Sequence, residues 1–112
     1  MNIIINDKQK LLSSAAIDRT ETKSRSAFAK FSDHVKSVEI SVEDINGPKG
    51  GIDKQCRVLV KMRRLNDVSV TVNESAISSA IPGAIDRAAR SVRRALDKRW
   101  RTNNASQLRL QA

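Results

Sequence analysis

"VEDINGPKGGIDKQCRVLV", residues Val42 to Val60, holds three of the chain's four glycines and one of its two prolines. On its C-terminal side Cys56, Val58, Val60 and Met62 alternate with Arg57, Leu59, Lys61 and Arg63. On its N-terminal side Val38, Ile40 and Val42 alternate with Glu39, Ser41 and Glu43. Period-two alternation predicts two half-buried strands, and the glycine run between them predicts a chain reversal. Asn46-Gly47 and Gly50-Gly51 supply residues that tolerate positive φ. The loop does not match a phosphate-binding P-loop, which needs a Lys-Ser/Thr pair leading into a helix. Here the chain leads into a strand, so a turn is the expected role, with Lys49 at its tip within reach of a phosphate.

Working outward, Val68, Val70 and Val72 predict a third alternating strand, and "NIII" at residues 2–5 a short first one. One apolar face per strand implies an antiparallel sheet covered on one side. From about Ser13 to Asp33, Ala16, Ile17, Thr20, Ser24, Ala27, Phe28 and Phe31 recur at helical spacing. This stripe is thin in its middle, and Arg19, Lys23 and Lys30 share another face. From about Ser75 to Trp100 a second stripe runs through Ile77, Ala80, Ile81, Ala84, Ile85, Ala88, Val92, Ala95 and Leu96. Pro82 leaves the start of that helix open. The expectation is a single α+β domain over residues 1–101, ordered β-α-β-β-β-α, with two helices on one face of a four-stranded sheet. Residues 102–112 are expected to form a disordered polar tail. Pairing the two strands so that Glu43 faces Arg57 and Glu39 faces Lys61 would make the strand cations partly structural.

Charge is the strongest global signal. Twenty-one Lys and Arg against twelve Asp and Glu leave a formal net charge of +9. Such an excess repels itself unless a polyanion is the partner. Arg87, Arg90, Arg94, Lys98 and Arg101 fall within an arc of roughly 80° on the second helix, away from its apolar stripe. Asp86 and Asp97 are the only acids in 84–101. A ridge about 20 Å long can follow a phosphate backbone. A solvated helix face is the plainer reading of the same residues.

Other chemistry finds little support. His34 is the only histidine and is expected at the surface near a helix end, so no catalytic site is expected. Cys56, the only cysteine, falls on the inward parity of its strand and reads as a small buried hydrophobe. One cysteine allows no internal disulfide, which fits a reducing cytoplasm. Asp44 and Asp53 flank the loop but lack calcium-loop spacing, and no ligand cluster suggests a metal. No cofactor or small-molecule substrate is expected. Trp100 is expected to pack the end of the second helix, with base stacking as the alternative. A membrane surface is disfavoured because the sheet needs the Ala-rich stripe.

The quoted stretch also resembles a segment of the family of hibernation-promoting factors and ribosome-associated inhibitor A. In short members a strand ending in Asp-x-Asn-Gly-Pro is followed by Lys/Arg-Gly-Gly, an Asp-Lys pair and a Cys. "AIPGAIDRAARSVRRALDKRW" is similar to that family's last helix, with Ala80, Ile81 and Ile85 at core positions and Arg87, Arg90 and Arg94 on the ridge. The resemblance covers most of residues 2–100. It implies a fold like that of double-stranded RNA-binding domains. It implies binding in the tRNA and mRNA cleft of the small ribosomal subunit, blocking translation under stress. Arg87, Arg90, Arg94 and Lys98 would then contact ribosomal RNA, with Arg101, Lys49, Lys23 and Lys30 as further candidates. The protein would be monomeric away from the ribosome. The chain ends shortly after the second helix, so pairing of ribosomes through an extra C-terminal domain is not expected. A general duplex RNA or DNA binder remains the alternative.

Overall fold

The alternating segments become strands and the periodic ones helices. In the computed structural model, which describes residues 1–45 and 53–111 and side chains as far as Trp100, the order is β1 (Asn2–Asn6), α1 (Ser14–Phe28), β2 (Val35–Asp44), β3 (Lys54–Met62), β4 (Val68–Glu74) and α2 (Ile77–Gln111). This is the predicted β-α-β-β-β-α order. The sheet runs β1-β2-β3-β4. Strands β2, β3 and β4 pair antiparallel, but β1 pairs parallel to β2, so the sheet is mixed and not purely antiparallel. The reason is the connection: α1 carries the chain back along the sheet, and such a crossover delivers a parallel neighbour.

The inward parity holds across the sheet. Val38, Ile40, Val42, Cys56, Val58, Val60, Met62 and Val72 are buried with Ala80, Ile81, Ala84, Ile85, Ala88 and Val92 of α2 and Phe28 of α1. Phe31, from the 3-10 turn (Ala29–His34) that links α1 to β2, and Val35, the first residue of β2, close the same core. The opposite face of the sheet carries Glu39, Ser41, Gln55, Arg57, Lys61, Ser69 and Thr71, and no helix covers it.

The register departs from the sequence expectation by two residues. Val38 lies opposite Val60, Ile40 opposite Val58, and Val42 opposite Cys56. Glu43 therefore faces Gln55, and Glu39 faces Leu59. A shift of two keeps every side chain on its face, so the core does not distinguish the registers. The mouth of the hairpin does. Asp44 pairs across the strands with Lys54, whose Nζ lies 3.1 Å from Asp44 and 3.2 Å from Asp53. Asp53 is buried, and the Ile45 amide donates to its carbonyl at 2.8 Å. Its buried carboxylate needs a charged partner, and Lys54 supplies it. Lys61 still reaches Glu39, diagonally, at 3.7 Å. The glycine turn itself, Gly47 to Gly51, lies outside the described residues.

The thin middle of α1 has a simple account. Thr20 and Ser24 are buried, and each hydroxyl donates to the carbonyl four residues earlier, at 2.8 and 2.7 Å. Their polarity is met inside the helix, so they pack as small core residues. Ser13 caps the helix, its Oγ accepting from the Ala16 amide at 3.1 Å.

Helix α2 begins at Ile77, so Pro82 sits inside it. Ala76 carbonyl accepts from the Ser79 and Ala80 amides and secures the first turn. Pro82 has no amide to give the Ser78 carbonyl, and Ser78 stands on the exposed side of that turn. At the other end the helix continues to Gln111, where the sequence reading expected a disordered tail from 102. No glycine or proline interrupts residues 84–111, and Ala105, Gln107, Leu108, Arg109 and Leu110 all favour helix.

Candidate nucleic-acid interface

The apolar stripe of α2 fixes which way its cations point. Ala84, Ala88 and Val92 are fully buried against the sheet, so Arg87, Arg90, Arg94 and Lys98 are turned to solvent. Among the described residues Arg87, Arg90 and Arg94 make no ion pair or hydrogen bond. The two acids of this stretch are engaged elsewhere. Asp86 takes Lys23 of α1 at 2.9 Å, and Asp97 lies 4.0 Å from Arg93.

Helix α1 packs alongside α2, and a groove opens between them. Lys23 lines it from α1, Lys30 from the 3-10 turn that follows, and Arg90 and Arg93 from α2. Three residues predicted from sequence, Lys23, Lys30 and Arg90, are thus brought together, with Arg87, Arg94 and Lys98 along the adjoining ridge. Lys23 serves structure as well, since its ion pair bridges the helices. Lys30 sits 5.5 Å over the ring centre of Phe31, which orients its ammonium. Lys49 and the side chain of Arg101 lie outside the described residues.

Sequence reasoning missed a second cluster. Trp100 does not pack the end of α2; it is 67% exposed. Beside it open Lys36, Arg63, Arg64 and Arg99, at the end of the β2–β3 pair opposite Asp44 and Lys54. The Arg63-Arg64 pair just after β3 was visible as sequence. Its meeting with α2 depends on the β3–β4 turn folding back, which spacing alone does not reveal.

The other candidates behave as their surroundings dictate. Cys56 is fully buried, and desolvation pushes its thiol up to about 12, away from reactivity. His34 is exposed at the end of the 3-10 turn, where its carbonyl accepts from the Arg63 amide at 2.8 Å. Asp44 and Asp53 hold Lys54, and their hydrogen bonds raise its ammonium above the usual lysine value, Asp44 contributing most. No helix among the described residues is long and apolar enough to cross a membrane.

No protein-family model matches the chain, and no curated protein does. The solved structures give a likeness. The crystal structure of the N-terminal domain of Protein Y from Thermus thermophilus matches with a TM-score of 0.63, covering 83% of this chain and 93% of that domain. The fold is like that of Protein Y. Identity is 18%, so what this chain shares with the Protein Y domain is the course of the backbone. The four-stranded sheet under two helices is common ground. The chemistry must be argued from the side chains present here.

Proposed function

We propose that this protein binds ribosomal RNA in the cleft of the small subunit and blocks translation there by occupying the path of tRNA and mRNA. The carrying observation is the ridge of α2. Arg87, Arg90 and Arg94 stand exposed and without acidic partners among the described residues, beside a groove whose walls add Lys23 and Lys30. Such an arrangement neutralises phosphates and offers no catalytic group. The resemblance of the Val42–Val60 stretch to ribosome hibernation factors selects the ribosome from among polyanions, and the Protein Y-like backbone agrees with it. The role is that of a stress-linked hibernation factor acting in the cytoplasm as a monomer.

Phosphate contacts position a protein without reading sequence, so the same ridge also suits any RNA duplex. Sedimentation through sucrose separates the readings. The expected result is saturable binding to small subunits at physiological salt, with free duplex RNA left behind. Equal retention of both would reduce the protein to a general duplex binder. Replacing Arg87, Arg90 and Arg94 together by Gln is expected to lower the log–log salt slope of binding by about 3, roughly one per lost phosphate contact. Their exposure predicts an unchanged melting temperature. An unchanged slope would move the interface elsewhere.

A further inference from the structure

The chain has three aromatic residues, and the core takes two of them. Phe28 is fully buried and Phe31 nearly so. Trp100 alone reaches the surface, 67% exposed, and it borders an open cavity of about 840 Å³. The indole is amphipathic, and it presents its aromatic face at a concave, basic site. Lys36, Arg63, Arg64 and Arg99 line the same cavity, with Asp33 and Asp97 as the acids, so cations outnumber acids by four to two.

The cavity is built and not merely left over. The Arg99 Nη1 donates to the Arg64 carbonyl at 2.6 Å, tying α2 to the β3–β4 turn. Arg64 adopts a φ of 63°, a left-handed conformation that a non-glycine residue holds at a cost. The Met62 amide donates to Asp67 and the Arg63 amide to His34, which fix the turn from both sides. Trp100 lies about 120° around the helix from Arg94, so this site is separate from the ridge.

The geometry points to a binding site for an unpaired nucleotide of single-stranded RNA, its base stacked on Trp100 and its phosphates held by Arg63, Arg64 and Lys36. Stacking requires a base free of its duplex, and every base offers a π face. The guanidinium forks suit phosphate oxygens. The choice of RNA as the polymer rests on the function proposed above; the site itself rests on the cavity and the exposed indole.

The test is direct because Trp100 is the only tryptophan and the chain has no tyrosine. Its fluorescence therefore reports this site alone. Saturable quenching is expected with single-stranded hexa-adenylate, and much less with blunt duplex RNA or inorganic polyphosphate. With labelled hexa-adenylate followed by anisotropy, Trp100→Leu is expected to weaken binding roughly 5- to 150-fold, and Trp100→Phe far less. Arg63→Gln should weaken binding as well. Equal quenching by polyphosphate, or unaltered affinity in Trp100→Leu, would overturn the proposal. Failure of the ribosomal reading looks different: the wild-type protein would ignore small subunits while still showing Trp100 quenching by the oligomer.

Discussion

Desolvation raises the Cys56 thiol from 9.0 to about 12, and both chemical and thermodynamic consequences follow. The thiolate is the reactive form, so the native protein should resist iodoacetamide at pH 8 and react only once unfolded. Rapid stoichiometric alkylation of the native protein would contradict the burial. The unfolded chain releases this proton near 9.0, whereas the folded chain keeps it to about 12. Above the lower value the unfolded state binds fewer protons, so stability falls as pH rises through that window. The loss can reach about 1.4 kcal/mol per pH unit. Urea midpoints at pH 8 and 10.5 should therefore drop more in the wild type than in Cys56→Val. At this scale the sequence was legible: parity alone placed Cys56 inside. It did not place Trp100, because whether a helix end is covered depends on where the sheet stops.

Helix α2 combines a proline, a glycine and a basic ridge, and each constrains a different face. Gly83 follows Pro82 at the start of the stretch that packs on β4. A Cβ added there would meet only the Val72 Cγ1, at 3.9 Å, an ordinary contact. Gly83→Ala should thus stabilise the protein by about 0.5–1 kcal/mol through helix propensity, read as a higher urea midpoint with the m-value unchanged. Destabilisation would mean that the helical turn around Pro82 needs the glycine's freedom. The elements themselves were readable because Val38, Ile40, Val42 and their counterparts repeat at a period of two, and the α2 stripe at 3.6. Their register was not. Two alignments of β2 on β3 bury the same side chains, and the choice falls to the Asp44, Asp53 and Lys54 cluster, whose assembly requires the folded hairpin.

Across the whole molecule, charge is divided unequally between the two faces of one sheet. The helices carry the concentrated charge of a +9 chain, and the outer face of the sheet mixes Glu39, Lys61 and Arg57 with small polar residues. The candidate ridge could be read from Arg87, Arg90 and Arg94 because one helix displays them. The Trp100 cavity draws on β2, the β3–β4 turn and α2, so only the folded chain assembles it. The parallel pairing of β1 with β2 bears on how the molecule comes together in time. Strands β2, β3 and β4 join through short connections, whereas Ile3 must find Val38 across the whole of α1. Closing that longer loop delays the contact and leaves it dependent on an edge strand of five residues. Native-state hydrogen exchange should show the amides of Ile3 to Ile5 opening well before those of Val58 to Val60. Equal protection would make the sheet one cooperative unit; the expected gradient would make the N-terminal strand the last to arrive and the first to leave.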